Sequence, residues 1–182
     1  DLAHARGNSN GGTGDGGVGS QSTGSATDWY VTVDSATVGV DGLILGLGHS
    51  DITSDLAEVA DGNSLDSATV LAHANYSTGP VSLGLRYVET TASAIAAEEI
   101  VLEAMAIAYN VNDALTVSYA EQDREYDRTG GTANVTESSK AFNANYTVGA
   151  ASVRATLAES SDAAGIVGNK DEHMEISLVL SF

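Results

Sequence analysis

The chain has 182 residues, and its 25 Asp and Glu against 7 Lys and Arg give a formal net charge of -18. That balance repels phosphate backbones and argues against nucleic acid as a partner, while the lack of Cys excludes disulfides and thiolate metal sites. One Pro leaves nearly every backbone donor free for sheet pairing, and no apolar run reaches the roughly 18 residues of a membrane helix, although a barrel strand needs only about 9 to 11 weakly alternating residues.

The chain begins at Asp1-Leu2-Ala3-His4 without an initiator Met or a signal peptide, and so reads as a processed product or a piece of something longer. Residues 1 to 27 are Gly- and Ser-rich and predict a flexible segment with too little apolar surface to order itself. Its glycines lack the following Lys-Ser or Lys-Thr of a phosphate loop.

From Asp28 onward, strand follows strand. Trp29, Val31 and Val33 alternate with Tyr30, Thr32 and Asp34; a turn falls near Gly39-Val40-Asp41-Gly42, and Leu43, Leu45 and Leu47 return. Asp51 to Asp66 is an acidic loop. Val70, Ala72, Ala74 and Tyr76 then share a face opposite Thr69, His73 and Asn75, with Leu71 breaking the pattern. After Thr78-Gly79-Pro80, Val81, Leu83, Leu85 and Tyr87 oppose Ser82, Gly84 and Arg86. Thr91 to Glu99 is expected to be a loop holding at most one helical turn. Met105, Ile107 and Tyr109 lead to a turn at Asn112-Asp113, Leu115, Val117 and Tyr119 lead away from it, and Glu121 to Arg128 reads as a charged loop. Phe142, Ala144 and Tyr146, a turn at Gly149-Ala150, and Ala151, Val153, Ala155 and Leu157 form the next pair. A loop from about Ser160 to Asp171 precedes the last strand, where Met174, Ile176, Leu178, Leu180 and Phe182 alternate with Glu175, Ser177, Val179 and Ser181.

The fold class predicted is all-β, an antiparallel up-and-down arrangement of about nine strands joined alternately by short turns and long polar loops. Tyr76, Tyr109 and Tyr146 each stand a few residues before a short turn, 33 and 37 residues apart. Tyrosines at one level suit a membrane interface, where the ring meets oil and the hydroxyl water; Tyr87, Tyr119 and Trp29 make a second belt nearer the long loops.

On the Ala-Asn-Tyr or Ala-Tyr-Asn ends of three strands, the short turns, the acidic loops and the terminal Leu178-Val179-Leu180-Ser181-Phe182, residues 28 to 182 resemble the carboxy-terminal half of a Gram-negative general-diffusion porin of the trimeric, 16-stranded kind. The resemblance implies a transmembrane β-barrel in the outer membrane that lets small hydrophilic solutes and ions diffuse through a water-filled channel, with no enzymatic activity. It implies lipid bilayer and lipopolysaccharide as surroundings, a homotrimer, amino-terminal strands supplied from outside this chain, and Phe182 as the signal to the barrel-assembly machinery. Residues 1 to 27 would then belong to an extracellular loop.

Arg86 and Arg154 fall on the polar faces of their strands and are the expected pore-lining cations, each equally readable as half of an ion pair with an inward carboxylate. His73 and Glu175 share that parity. Acidic loops invite Ca²⁺, without any Asp-x-Asp-x-Asp-Gly loop to fix it, and the four His show no zinc spacing. No catalytic motif is present. Asn75-Tyr76-Ser77, Asn134-Val135-Thr136 and Asn145-Tyr146-Thr147 match the glycosylation pattern by chance. The competing reading is a secreted acidic β-sandwich that binds Ca²⁺ or carbohydrate as an adhesin or surface-layer module, with its apolar faces turned into a core.

Overall fold

The computed structural model describes residues 2–6, 24–54, 66–92, 97–128 and 132–180. They form one antiparallel sheet in strict up-and-down order. Its strands are β1 (Leu2–Arg6), β2 (Gly24–Val33), β3 (Leu43–Ser54), β4 (Ser67–Thr78), β5 (Val81–Ala92), β6 (Ala97–Asn110), β7 (Leu115–Arg128), β8 (Val135–Val148), β9 (Ala151–Ser161) and β10 (Lys170–Leu180). A helical turn, α1 (Ser35–Val38), capped by the Asp34 side chain, lies inside the first hairpin. β2 to β9 each have a hydrogen-bonded neighbour on both sides, although β1 covers only Ser25 to Trp29 of β2.

Nine of these strands were expected, and β1 is added at the start of the segment predicted to be flexible; residues 7–23 of that segment lie outside the described residues. Residues 121–128, expected as a loop, are instead the outer half of β7. Period two runs through them in charge rather than hydropathy: Glu121, Asp123, Glu125 and Asp127 take one face, and Gln122, Arg124, Tyr126 and Arg128 the other. The region expected to allow a helical turn is strand as far as Ala92 and again from Ala97, with residues 93–96 outside the described residues. Hairpins close where turn chemistry was read. Asn112 Oδ1 accepts from the backbone N–H groups of Ala114 and Leu115, both at 2.9 Å, and Gly149 supplies the positive φ of 57° for a two-residue turn.

Register fixes two faces. Cross-strand pairing strings Leu43, Tyr76, Leu83, Ile107, Tyr119, Phe142, Leu157 and Met174 into one row, and parallel rows add Leu45, Ala74, Leu85 and Met105 to the same side. This side is an apolar band laid across the sheet from β2 to β10, and it is bare: Leu85 is 60% exposed, Ile176 72% and Met174 73%. Val135, on the other side, is the only buried apolar side chain among the described residues. A single sheet of this size therefore has no core of its own. An apolar face this broad is one that a water-soluble monomer does not leave open.

The opposite face is polar and zipped by hydroxyl and amide contacts between directly paired residues. Ser77 and Ser82 meet at 3.0 Å, Thr147 and Ser152 at 2.8 Å, and Thr69 and Thr90 at 3.1 Å, while Thr116 donates to Asn110 and Thr156 to Asn143. Leu71, the exception in its strand, joins Val88 and Leu102 in one register row on this face, near the long loops. At that same end the other side turns acidic through Glu89, Glu103, Glu121, Glu159 and Glu172. The polarity of the two faces thus reverses above the apolar band.

Candidate functional site: the polar face between two aromatic rows

All six aromatic residues singled out from the sequence lie on the apolar side. Following the register from Trp29 on β2 through His49, Val70, Glu89 and Val101 reaches Glu125 on β7, six residues towards the long loops from Tyr119. The row Trp29–Tyr87–Tyr119 therefore drops six residues over five strand spacings, a slope of about 40° to the hydrogen-bond direction at about 3.4 Å per residue and 4.8 Å per strand. Tyr76, Tyr109 and Tyr146 drop four residues over four spacings in the same sense, a slope of about 35° by the same spacings. Two aromatic rows with nearly the same slope lie level if the strands tilt by that angle, and strands of membrane barrels tilt by about 35–45°.

The loop-side row carries its hydroxyls into the acidic rim. Tyr87 donates to Glu89 at 2.6 Å and Tyr119 to Glu121 at 2.5 Å, each two residues farther along the same strand face, and Trp29 lies beside His49 with ring centres 6.1 Å apart. Each of these two tyrosines thus has its apolar body in the band and its polar handle above it.

The four polar-face candidates separate into two places. His73 on β4 and Arg86 on β5 are direct cross-strand partners. Tyr30 of β2 reaches across β3 to hydrogen-bond His73 Nε2, the rings stacking with centres 6.0 Å apart. Gly46 makes this possible, since a Cβ there would stand 2.1 Å from His73 Nε2 and 2.7 Å from the Tyr30 hydroxyl. Asn75 contacts the other imidazole nitrogen at 3.1 Å. Arg154 on β9 faces Asn145 and Ser177, and Glu175 on β10 faces Thr156, with His173 3.4 Å away. Neither Arg86 nor Arg154 makes an ion pair among the described residues, and both are exposed. Phe182 lies outside the described residues, as does most of the acidic stretch from Asp51 to Asp66. Among the described residues no three potential metal ligands gather, and the carboxylates of β7 alternate along a strand rather than converging in a loop.

Sequence reading missed a second polar cluster. Glu137 on β8 accepts from Tyr126 at 3.0 Å and from Ser160 at 3.2 Å, and pairs with Arg124 at 3.7 Å, tying β7, β8 and β9 together on the polar face. Arg128, two residues beyond Tyr126, donates to the carbonyl of Gly165. The alternation of charge in residues 121–128 was the available signal. All four of these arginines, Arg86, Arg124, Arg128 and Arg154, face the polar side, whereas Lys140 and most strand carboxylates face the other. The net charge of the chain therefore misrepresents this face. No family model matches the chain, and no curated protein matches it.

Proposed function

We propose that this chain forms wall strands of an outer-membrane porin, a water-filled channel through which small hydrophilic solutes and ions pass by passive diffusion. The observation that carries the reading is the pair of aromatic rows of nearly equal slope bounding a bare apolar band, with the opposite face hydroxyl-lined and arginine-bearing. In lipid the band is solvated by acyl chains, the tyrosines and Trp29 sit at headgroup level, and the acidic rim stands in water. Arg86, Arg154, His73 and Glu175 then line the aqueous side. Strands from outside this chain complete the barrel, within a trimer surrounded by lipid and lipopolysaccharide, and Phe182 serves assembly. Cations attracted to the outer carboxylates, Ca²⁺ included, bind outside the conduction path. The sandwich alternative needs a second layer over the apolar face, and among the described residues there is none.

Reconstitution tests the proposal. The protein extracted in detergent should migrate as a heat-modifiable band and produce discrete ohmic conductance steps in a planar bilayer. A species soluble in plain buffer, with no conductance, would sink the channel reading.

A further inference from the structure

We propose that the β9–β10 connection, residues 162–169, is a fixed strap folded over the polar face, clamped by Arg128, and that it sets the size cut-off at the loop-side mouth; this rests on the channel reading above. The connection closes on itself. Asp162 Oδ1 accepts from the Gly168 N–H at 2.5 Å, the Ala163 N–H donates to the Asn169 carbonyl at 3.1 Å, and the Asn169 side chain returns a hydrogen bond to the Ala163 carbonyl at 3.2 Å. Asp162 and Ala164 hold left-handed backbone at φ 52° and 58°, which non-glycine residues keep only when their surroundings fix it.

The closed loop then crosses the sheet. Gly165 is buried, and its carbonyl accepts from the Arg128 guanidinium of β7, two strands away from β9 and about 10 Å across at the usual strand spacing. A Cβ on Gly165 would stand 2.9 Å from the Tyr126 ring and 3.1 Å from Arg128 Nη2, so only glycine, here at φ 68°, fits the seat. The seat itself is rigid: the Tyr126 hydroxyl is held by Glu137, which Arg124 and Ser160 also engage. Val135, the register partner of Tyr126, is buried in this corner. The strap thus occupies space on the side where solute would pass, and it leaves Ile166 and Val167 58% and 78% exposed at its tip. A flexible surface loop would have no use for a buried glycine or for a cation spent on its carbonyl.

This chain has no native Cys, so with any Cys in the strands from outside it replaced by Ser, a spin label on Val167→Cys reports the strap alone. In the complete protein reconstituted in vesicles, the label should be motionally restricted, and both Arg128→Ala and Gly165→Ala should free it. Vesicle swelling with sugars of increasing size should then quicken several-fold for those near the cut-off and stay level for the smallest. A label already mobile with Arg128 in place would overturn the proposal, as would a freed strap with unchanged permeation. Swelling absent from every protein, native included, while the label still answers to Arg128, would mark failure of the channel reading and would take the cut-off with it.

Discussion

Gly46 shows how much one missing side chain decides. With no Cβ on β3, Tyr30 and His73 meet over it and stand beside Arg86, whose other cross-strand neighbour is Ala104. Gly46→Val should force the pair apart and cost about 1–3 kcal/mol, as overpacking does, read as a lowered urea midpoint of the vesicle-folded protein. If the polar face lines a channel, Arg86→Gln should move the reversal potential in a salt gradient towards cation preference, because it removes a cation with no ion-pair partner among the described residues, whereas Glu103→Gln on the opposite face should leave it in place. The two faces also differ in what they tolerate. Leu85→Arg, in the middle of the bare band, should destabilise the bilayer-inserted state by about 2–4 kcal/mol, while Ala106→Arg across the sheet should change it by about 0.5 kcal/mol or less. Equal costs at the two sites would contradict the assignment of faces.

At the scale of strands, the elements legible in the sequence were those whose alternation is between oil and water: β5, β8 and β9 follow Leu85, Phe142 and Val153 and their neighbours. The outer half of β7 escaped because both of its faces are polar there, and hydropathy carries no period when acids alternate with Arg and Gln. Among the site residues, the faces of Arg86, Arg154, His73 and Glu175 followed from parity alone. The cluster about Glu137 and the seat of Gly165 depend on which strands lie side by side and how a loop returns, and no local pattern encodes that. The apolar run on one strand face, from Ala151 to Leu157, spans six steps of about 3.4 Å, or about 20 Å along the strand. At a strand tilt of about 40° this is about 15 Å of height, shorter than the roughly 25 Å band typical of outer-membrane barrels, and it suits a thin bilayer. Folding yield into vesicles should accordingly be higher in short-chain than in long-chain phosphatidylcholine, followed by heat-modifiable migration. A higher yield in the long-chain lipid would count against the band as the lipid-facing surface.

The described residues form a sheet without a core, and its stability has to come from what covers the apolar side. Excess acid on that side above the band, with the arginines on the other, makes the two faces electrostatically unlike before any closure is considered. The central claim, that the apolar face meets lipid with the aromatic rows at its borders, is tested most directly by this chain's single Trp, with any Trp in the strands from outside it replaced by Phe. Trp29 fluorescence should be measured after reconstitution in vesicles whose lipids carry bromine at graded depths, alongside aqueous acrylamide. The account predicts strong quenching by bromines close to the headgroups, weaker quenching by those at the acyl ends, and little by acrylamide. Quenching by acrylamide with no response to any brominated lipid would place Trp29 in water or in a protein core and contradict it.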